Sequence, residues 1–143
     1  MIAVPAAAYI GRPAAPAFKG KALTGEPFSS ESLKSKPVLI QFWATWCGFC
    51  RRDQPAVDQI VKENPELAVL AVSVNESRNK VERYLADSPR SPKIVLTEDT
   101  NLAALFPVTG FPTYILIDAK GGIVDKQEGA GGYDALQQLI AKL

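Results

Sequence analysis

The sequence contains no histidine, and only two cysteines, in 143 residues. The missing imidazole removes several chemistries from this chain at once. Ser-His-Asp and Cys-His hydrolysis, histidine-ligated zinc and haem held by a proximal histidine all need a ring nitrogen that is not there. Two cysteines are also too few for a four-cysteine zinc or iron–sulfur centre. Charge of one sign is equally scarce: Lys and Arg total 16 against 15 Asp and Glu, a formal net charge of +1, with no basic block or acidic tail. That balance argues against nucleic acid as a partner. No stretch approaches the roughly 18 uninterrupted apolar residues that a membrane-spanning helix requires.

What is present suits one folded domain: 47% of residues are hydrophobic and 22% charged, and the length is ordinary for a single core. Residues 1–17 hold seven alanines and three prolines with no helical or strand period. They read as a poorly ordered leader or linker, with the domain expected over residues 18–143. The leader lacks the charged start and apolar run of a complete signal peptide.

From Phe18 the pattern becomes regular. Residues 18–28, split by Thr24-Gly25, read as a short hairpin, and residues 29–36 as about one helical turn. The run PVLIQFW (37–43) fits a strand covered on both faces. A helix should follow the Trp46–Cys50 turn, with Val57, Ile60 and Val61 on one stripe and Pro55 kinking it. A second buried strand is expected at 67–74, a helix at 80–87 and a loop at 88–93. A short strand at 94–96 and a short helix at 102–106, capped by Asp99 or Thr100, come next. Residues 113–118 form a strand, and Lys120-Gly121-Gly122 turns the chain into another at 123–126. Tyr133, Leu136, Leu139, Ile140 and Leu143 line one side of a closing helix. The order predicts an α/β fold, a mixed sheet with helices on both faces.

The two cysteines, Cys47 and Cys50, close too small a ring to act as a useful staple, so their reactivity is the better reason for their presence. Cys47 falls where a buried strand ends and a helix begins, near unpaired backbone N–H groups at the positive end of that helix. Such cysteines ionise at about 3.5–7.5 against about 8.5 for a free thiol. Cys50 lies one turn further on. Cys47 is therefore the candidate nucleophile and Cys50 the resolving thiol of a disulfide exchange.

The motif FWATWCGFCRRDQP (42–55), together with Val108-Thr109-Gly110-Phe111-Pro112-Thr113, resembles the thioredoxin superfamily. Within it the likeness is to the branch of TlpA, ResA and CcmG-like envelope thiol–disulfide oxidoreductases. Sixty-two positions separate Cys50 from Pro112, which resembles the helix-and-strand insertion of that branch, here at about residues 77–96. The resemblance covers residues 18–143. It implies a thioredoxin-like mixed sheet and a dithiol–disulfide cycle without cofactor or metal. It also implies work mainly as a reductant in the periplasm or envelope, with an anchoring segment outside this sequence. The implied partners are an oxidised substrate protein, such as an apocytochrome c or a metal-stress protein, and a membrane electron donor of the DsbD or CcdA type.

Single residues carry further implications of the resemblance. Pro112 matches the family's cis-proline beside the cysteine pair, and the backbone of Phe111 the segment that pairs with extended substrate. Trp46 would shield the sulfurs, whereas Trp43 is expected in the core. Thioredoxins proper keep an acid on the strand before the motif, where this chain has Gln41. The TlpA-like branch often carries one three residues after the second cysteine, which matches Asp53. An acid there could accept a proton from Cys50 or raise its pKa by like-charge repulsion; the competing reading is a solvated aspartate at a helix start. Phe49 departs from the usual proline and leaves the reduction potential open. Two other functions compete: a cytosolic thioredoxin-like reductase, and a non-catalytic adapter or Cu(I)-binding module holding metal on two thiolates.

Overall fold

The computed structural model describes residues 11–143. Its centre is β3 (Val38–Trp43), buried at every position. Such a strand needs cover on both faces, and its side chains alternate accordingly. Val38, Ile40 and Phe42 enter one apolar layer with Phe18, Phe28, Leu102 and Phe106. Leu39 enters the other, with Val57, Ile60, Leu136 and Leu139.

Around it lie β1 (Lys19–Ala22), β2 (Pro27–Ser29), β4 (Ala68–Ser73), β5 (Lys93–Thr100), β6 (Thr113–Ile117) and β7 (Ile123–Glu128). The sheet order is β2-β1-β5-β4-β3-β6-β7. Strands β3, β4 and β5 are parallel, whereas β6 runs antiparallel to β3 and β7 to β6. The helices are α1 (Gly48–Glu63), α2 (Arg78–Asp87), α3 (Leu102–Leu105) and α4 (Gly132–Ile140). Parallel β3 and β4 need a crossover, which α1 supplies; the central insertion, α2 with β5, supplies the next. Helix α1 runs on through Pro55, whose missing N–H leaves one interior carbonyl without its helical donor.

Several expectations shift in detail. Strand β5 extends to Thr100 because its polar second half pairs with β1, Gly20 opposite Thr100, a pairing that apolar periodicity cannot signal. Asp99 does not cap α3; Asn101 occupies the N-cap and Thr100 Oγ1 accepts from the N–H of Leu102. Residues 31–35 form turns rather than a helix. Leu143 lies beyond α4 and is 46% exposed.

Of the leader expected at 1–17, residues 1–10 lie outside the described residues. Residues 12–15 dock along the β6–β7 turn. The N–H of Ile123 donates to the Pro13 carbonyl and that of Ala15 to Gly121, and Arg12 pairs with Asp118 at 3.0 Å. Burial pushes the Asp118 carboxyl up, but the N–H of Gly122, the Arg12 guanidinium and the N–H of Lys120 outweigh it, leaving it below its ordinary value. A carboxyl lowered by folding contributes stability above its unfolded value, lost as pH falls through the folded one. Asp118→Asn should therefore cost about 1 kcal/mol at pH 7 in urea unfolding. That difference should close as pH drops below about 4; a gap independent of pH would show that the charge plays no part.

Candidate active site

Strand β3 ends at Trp43, and α1 begins at Gly48 with Cys47 as its N-cap. The first N–H groups of a helix have no carbonyl to meet. One of them is taken by sulfur: the N–H of Cys50 donates to Cys47 Sγ at 3.1 Å. The two cysteines are joined in a disulfide, their Cα atoms 5.2 Å apart. Cys50 is fully buried and Cys47 is 5% exposed, so access is to Cys47.

That access is a cleft of about 510 Å³ between the motif (Trp46, Cys47, Gly48, Phe49) and the loop Val108–Phe111. The Phe111–Pro112 peptide is cis, and the Phe111 carbonyl oxygen stands 3.6 Å from Cys47 Sγ. Trp46 and Phe49 are 63% and 59% exposed. The Trp46 ring meets Phe111 edge-on at 5.8 Å, and the Arg52 guanidinium lies 4.9 Å from the Phe49 ring centre. Trp43, by contrast, is fully buried. The structure thus brings Trp46, Cys47, Cys50, Phe111 and Pro112 together.

Asp53 sits behind them. The buried stripe of α1 runs Cys50, Asp53, Ala56, Val57, Ile60, the three-to-four spacing of one helix face. At 2% exposure it is not the solvated aspartate of the competing reading. Its Oδ2 accepts from the Tyr114 hydroxyl at 2.6 Å and its Oδ1 from the N–H of Gly132, at the start of α4, at 3.0 Å. Tyr114 stands opposite Gln41 in the β3–β6 register, so both face α1. Gln41 Nε2 donates to the Tyr114 oxygen at 3.2 Å, and Arg90 donates to Gln41 Oε1 at 3.2 Å. Burial, the hydrogen bond to Asp53 and its charge raise the Tyr114 phenol well above its ordinary value. Desolvation lowers Arg90 while Asp58, 3.4 Å away, opposes the shift.

A second buried carboxylate fixes the turn before Cys47. Glu76, in the turn between β4 and α2, accepts from the N–H of Thr45 at 2.8 Å and from Thr45 Oγ1 at 2.5 Å. It also accepts from Ser73 Oγ at 2.8 Å, and Lys80 lies 3.6 Å away. Arg51 donates twice to the Thr45 carbonyl, at 3.2 and 2.8 Å. Every polar group of Thr45 is held. Glu76, Tyr114 and Arg90 escape sequence reading, since each is joined to the motif only by the folded sheet; Gln41 alone carried a signal, as an amide inside an apolar run.

Known proteins resemble this chain over most of its length. A Redoxin family model matches residues 10–138. Thioredoxin-like protein YneN of Bacillus subtilis (strain 168) is 38% identical over 129 residues, covering 88% of this chain and 76% of YneN. Thiol:disulfide interchange protein DsbE of Pseudomonas fluorescens biotype C is 30% identical over 122 residues, 84% of this chain and 67% of DsbE. A solved thiol:disulfide interchange protein of the thioredoxin family from Chlorobium tepidum TLS superposes with a TM-score of 0.79 at 28% identity. It covers 91% of this chain and 94% of that one.

Removing the Glu76 carboxylate would strand three donors in the interior. Glu76→Ala should lower stability by about 3 kcal/mol in urea unfolding, and Glu76→Gln, which keeps one acceptor, by less. An alanine variant as stable as the native protein would remove Glu76 from the support of the turn.

Proposed function

The chain belongs to the Redoxin family and is a thiol–disulfide oxidoreductase, and we propose that it reduces protein disulfides in the bacterial envelope through Cys47 and Cys50. Its mixed seven-stranded sheet with a central helix-and-strand insertion is the thioredoxin-like arrangement expected from the motifs. The observation that carries the reading is the placement of Cys47. Its sulfur caps α1, accepts the Cys50 N–H and lines the cleft beside Trp46, Phe49 and Phe111, while Cys50 waits behind it.

In the dithiol form the Cys47 thiolate attacks one sulfur of a substrate disulfide. A Cys47–substrate bond forms, and the other substrate sulfur leaves with the electron pair and takes a proton. Cys50 then loses its proton and attacks Cys47 Sγ. The Cys47–Cys50 bond forms, and the second substrate sulfur leaves and is protonated. The substrate gains two electrons and two protons, and the protein ends in its disulfide form. A membrane electron donor of the DsbD or CcdA type returns it to the dithiol.

Four residues assist. Asp53, one turn along α1 and buried beside the same face, receives the proton of Cys50. Phe111 and Pro112 present backbone to an extended substrate segment beside Cys47. Trp46 covers the approach to the sulfurs. The substrate is an oxidised protein, an apocytochrome c or a metal-stress protein, and the envelope location follows from likeness to the TlpA, ResA and CcmG branch.

Cys47→Ser should abolish insulin reduction, while Cys50→Ser should trap a mixed disulfide visible on a non-reducing gel. Retained turnover in Cys47→Ser would overturn the assignment. The direction is read from the reduction potential of the couple. A value near or below about −270 mV supports a reductant, whereas one near about −120 mV would make the protein an oxidant.

A further inference from the structure

The mechanism uses Asp53 but not the line of buried polar groups that leads from it, through Tyr114 and Gln41, to Arg90 in the loop before β5. Arg90 has no exposed side-chain surface. It donates from Nη2 to Gln41 Oε1 at 3.2 Å and from Nε to Asp58 at 3.4 Å. Gln41 Nε2 donates to the Tyr114 oxygen at 3.2 Å, and the Tyr114 hydroxyl to Asp53 Oδ2 at 2.6 Å.

The direction of the bonds in this line is fixed from both ends, by a guanidinium that only donates and a carboxylate that only accepts. A guanidinium has donors and no acceptor, so Gln41 must turn its oxygen toward Arg90. Its amide nitrogen then faces Tyr114, whose oxygen accepts, and the one phenolic hydrogen is left for Asp53. Neither Gln41 nor Tyr114 would by itself choose this arrangement, because each can donate or accept. A neutral residue at position 90 would free the amide to reverse, so that its oxygen competes with Asp53 for the phenolic hydrogen.

We infer that Arg90 is a positioning residue of the redox site: through Gln41 and Tyr114 it commits a hydroxyl to Asp53 and so sets the pH at which Cys50 gives up its proton and releases bound substrate. The inference rests on the reading of Asp53 as the group that receives that proton. The chemical step is unchanged: Cys50 loses its proton to Asp53, the Cys47–Cys50 bond forms, and the Cys47–substrate bond breaks with the electron pair on the substrate sulfur. The titratable and charged groups around Asp53 are Cys50 on its own helix, Tyr114 on β6 and, beyond Gln41, Arg90 with Asp58 and Tyr84 beside it. The backbone N–H of Gly132 from α4 completes its surroundings. The raised Tyr114 phenol keeps its hydrogen throughout the range in which thiols titrate.

The reaction of the reduced protein with dithiobis(nitrobenzoate) separates the two sulfurs. A first coloured thiolate is released by Cys47, and a second when Cys50 attacks the Cys47 mixed disulfide. The rate of the second phase is followed against pH, with the first as internal reference. A carboxylate that loses a donor holds its proton to higher pH. In Tyr114→Phe, Gln41→Met and Arg90→Met alike, the onset of the second phase should move upward by about one pH unit. The double variant Arg90→Met/Tyr114→Phe should move no further than either single one, as expected of groups acting in series. Tyr114→Phe and Gln41→Met leave the Arg90–Asp58 pair in place, so a folding failure of Arg90→Met would not shelter the proposal. A native profile in Gln41→Met, or shifts that add in the double variant, would overturn it. Asp53→Asn tells the two readings apart. If it leaves the second phase untouched, the role of Asp53 falls and the inference with it. If it moves the second phase while Gln41→Met and Tyr114→Phe do not, only the role of the line from Arg90 is lost.

Discussion

A helix cannot bond its own first N–H groups, and in this protein that deficit is placed where a buried strand stops. Cys47 stands at the junction and gives its sulfur to the N–H of Cys50, so the group that completes the helix is also the group that reacts. The arrangement works only if the junction is held still. Strand β3 does this from below, paired to β4 on one side and β6 on the other. Thr45 does it from the side, gripped by Glu76 and Arg51. The loop that ends in Pro112 closes over the front and leaves the Phe111 carbonyl beside the sulfur.

Around this junction the otherwise apolar interior turns polar. Two carboxylates, Asp53 and Glu76, are buried within a few residues of the motif in sequence or in space. Burying a carboxylate without donors would cost several kcal/mol, and here each is met by hydroxyls and backbone N–H groups. These bonds are directional, as apolar contacts are not, and they fix the motif relative to β6, α4 and the central insertion. The insertion therefore does more than widen the sheet: the turn leading into it carries Glu76, and the loop between α2 and β5 carries Arg90. Glu76 meets the redox motif at Thr45, and Arg90 meets it at Trp43.

The parts of this structure that were legible in the sequence are those with a local signal. Residues 37–43 are apolar at nearly every position and rich in β-branched and aromatic members, which suits a strand covered on both faces, and β3 is such a strand. The turn at Lys120-Gly121-Gly122 announced β7, and the spacing of Tyr133, Leu136 and Leu139 announced α4. Cys47 and Cys50 were legible because two sulfurs so close in sequence have little other use. The polar half of β5 was not, since Thr97, Glu98 and Asp99 gain a strand only from β1 beside them. Nor was Arg90, which reads as one more charge in a proline-bearing loop. Its partners come from β3 and α1, and no window of sequence contains them together. Asp53 could be named but not interpreted, because its burial depends on Tyr114 and the start of α4.

The docking of residues 12–15 against the β6–β7 turn gives the molecule a polarity. Strand β6 starts at Thr113, next to Pro112 and the cysteines, and ends at Ile117, where that turn begins. The amino-terminal segment is thus fastened at the far pole of the sheet, a strand's length of about 15 Å from the reactive end. A molecule held to any support through that segment stands with its sulfurs facing outward. The redox end stays open to solvent whatever meets the opposite pole.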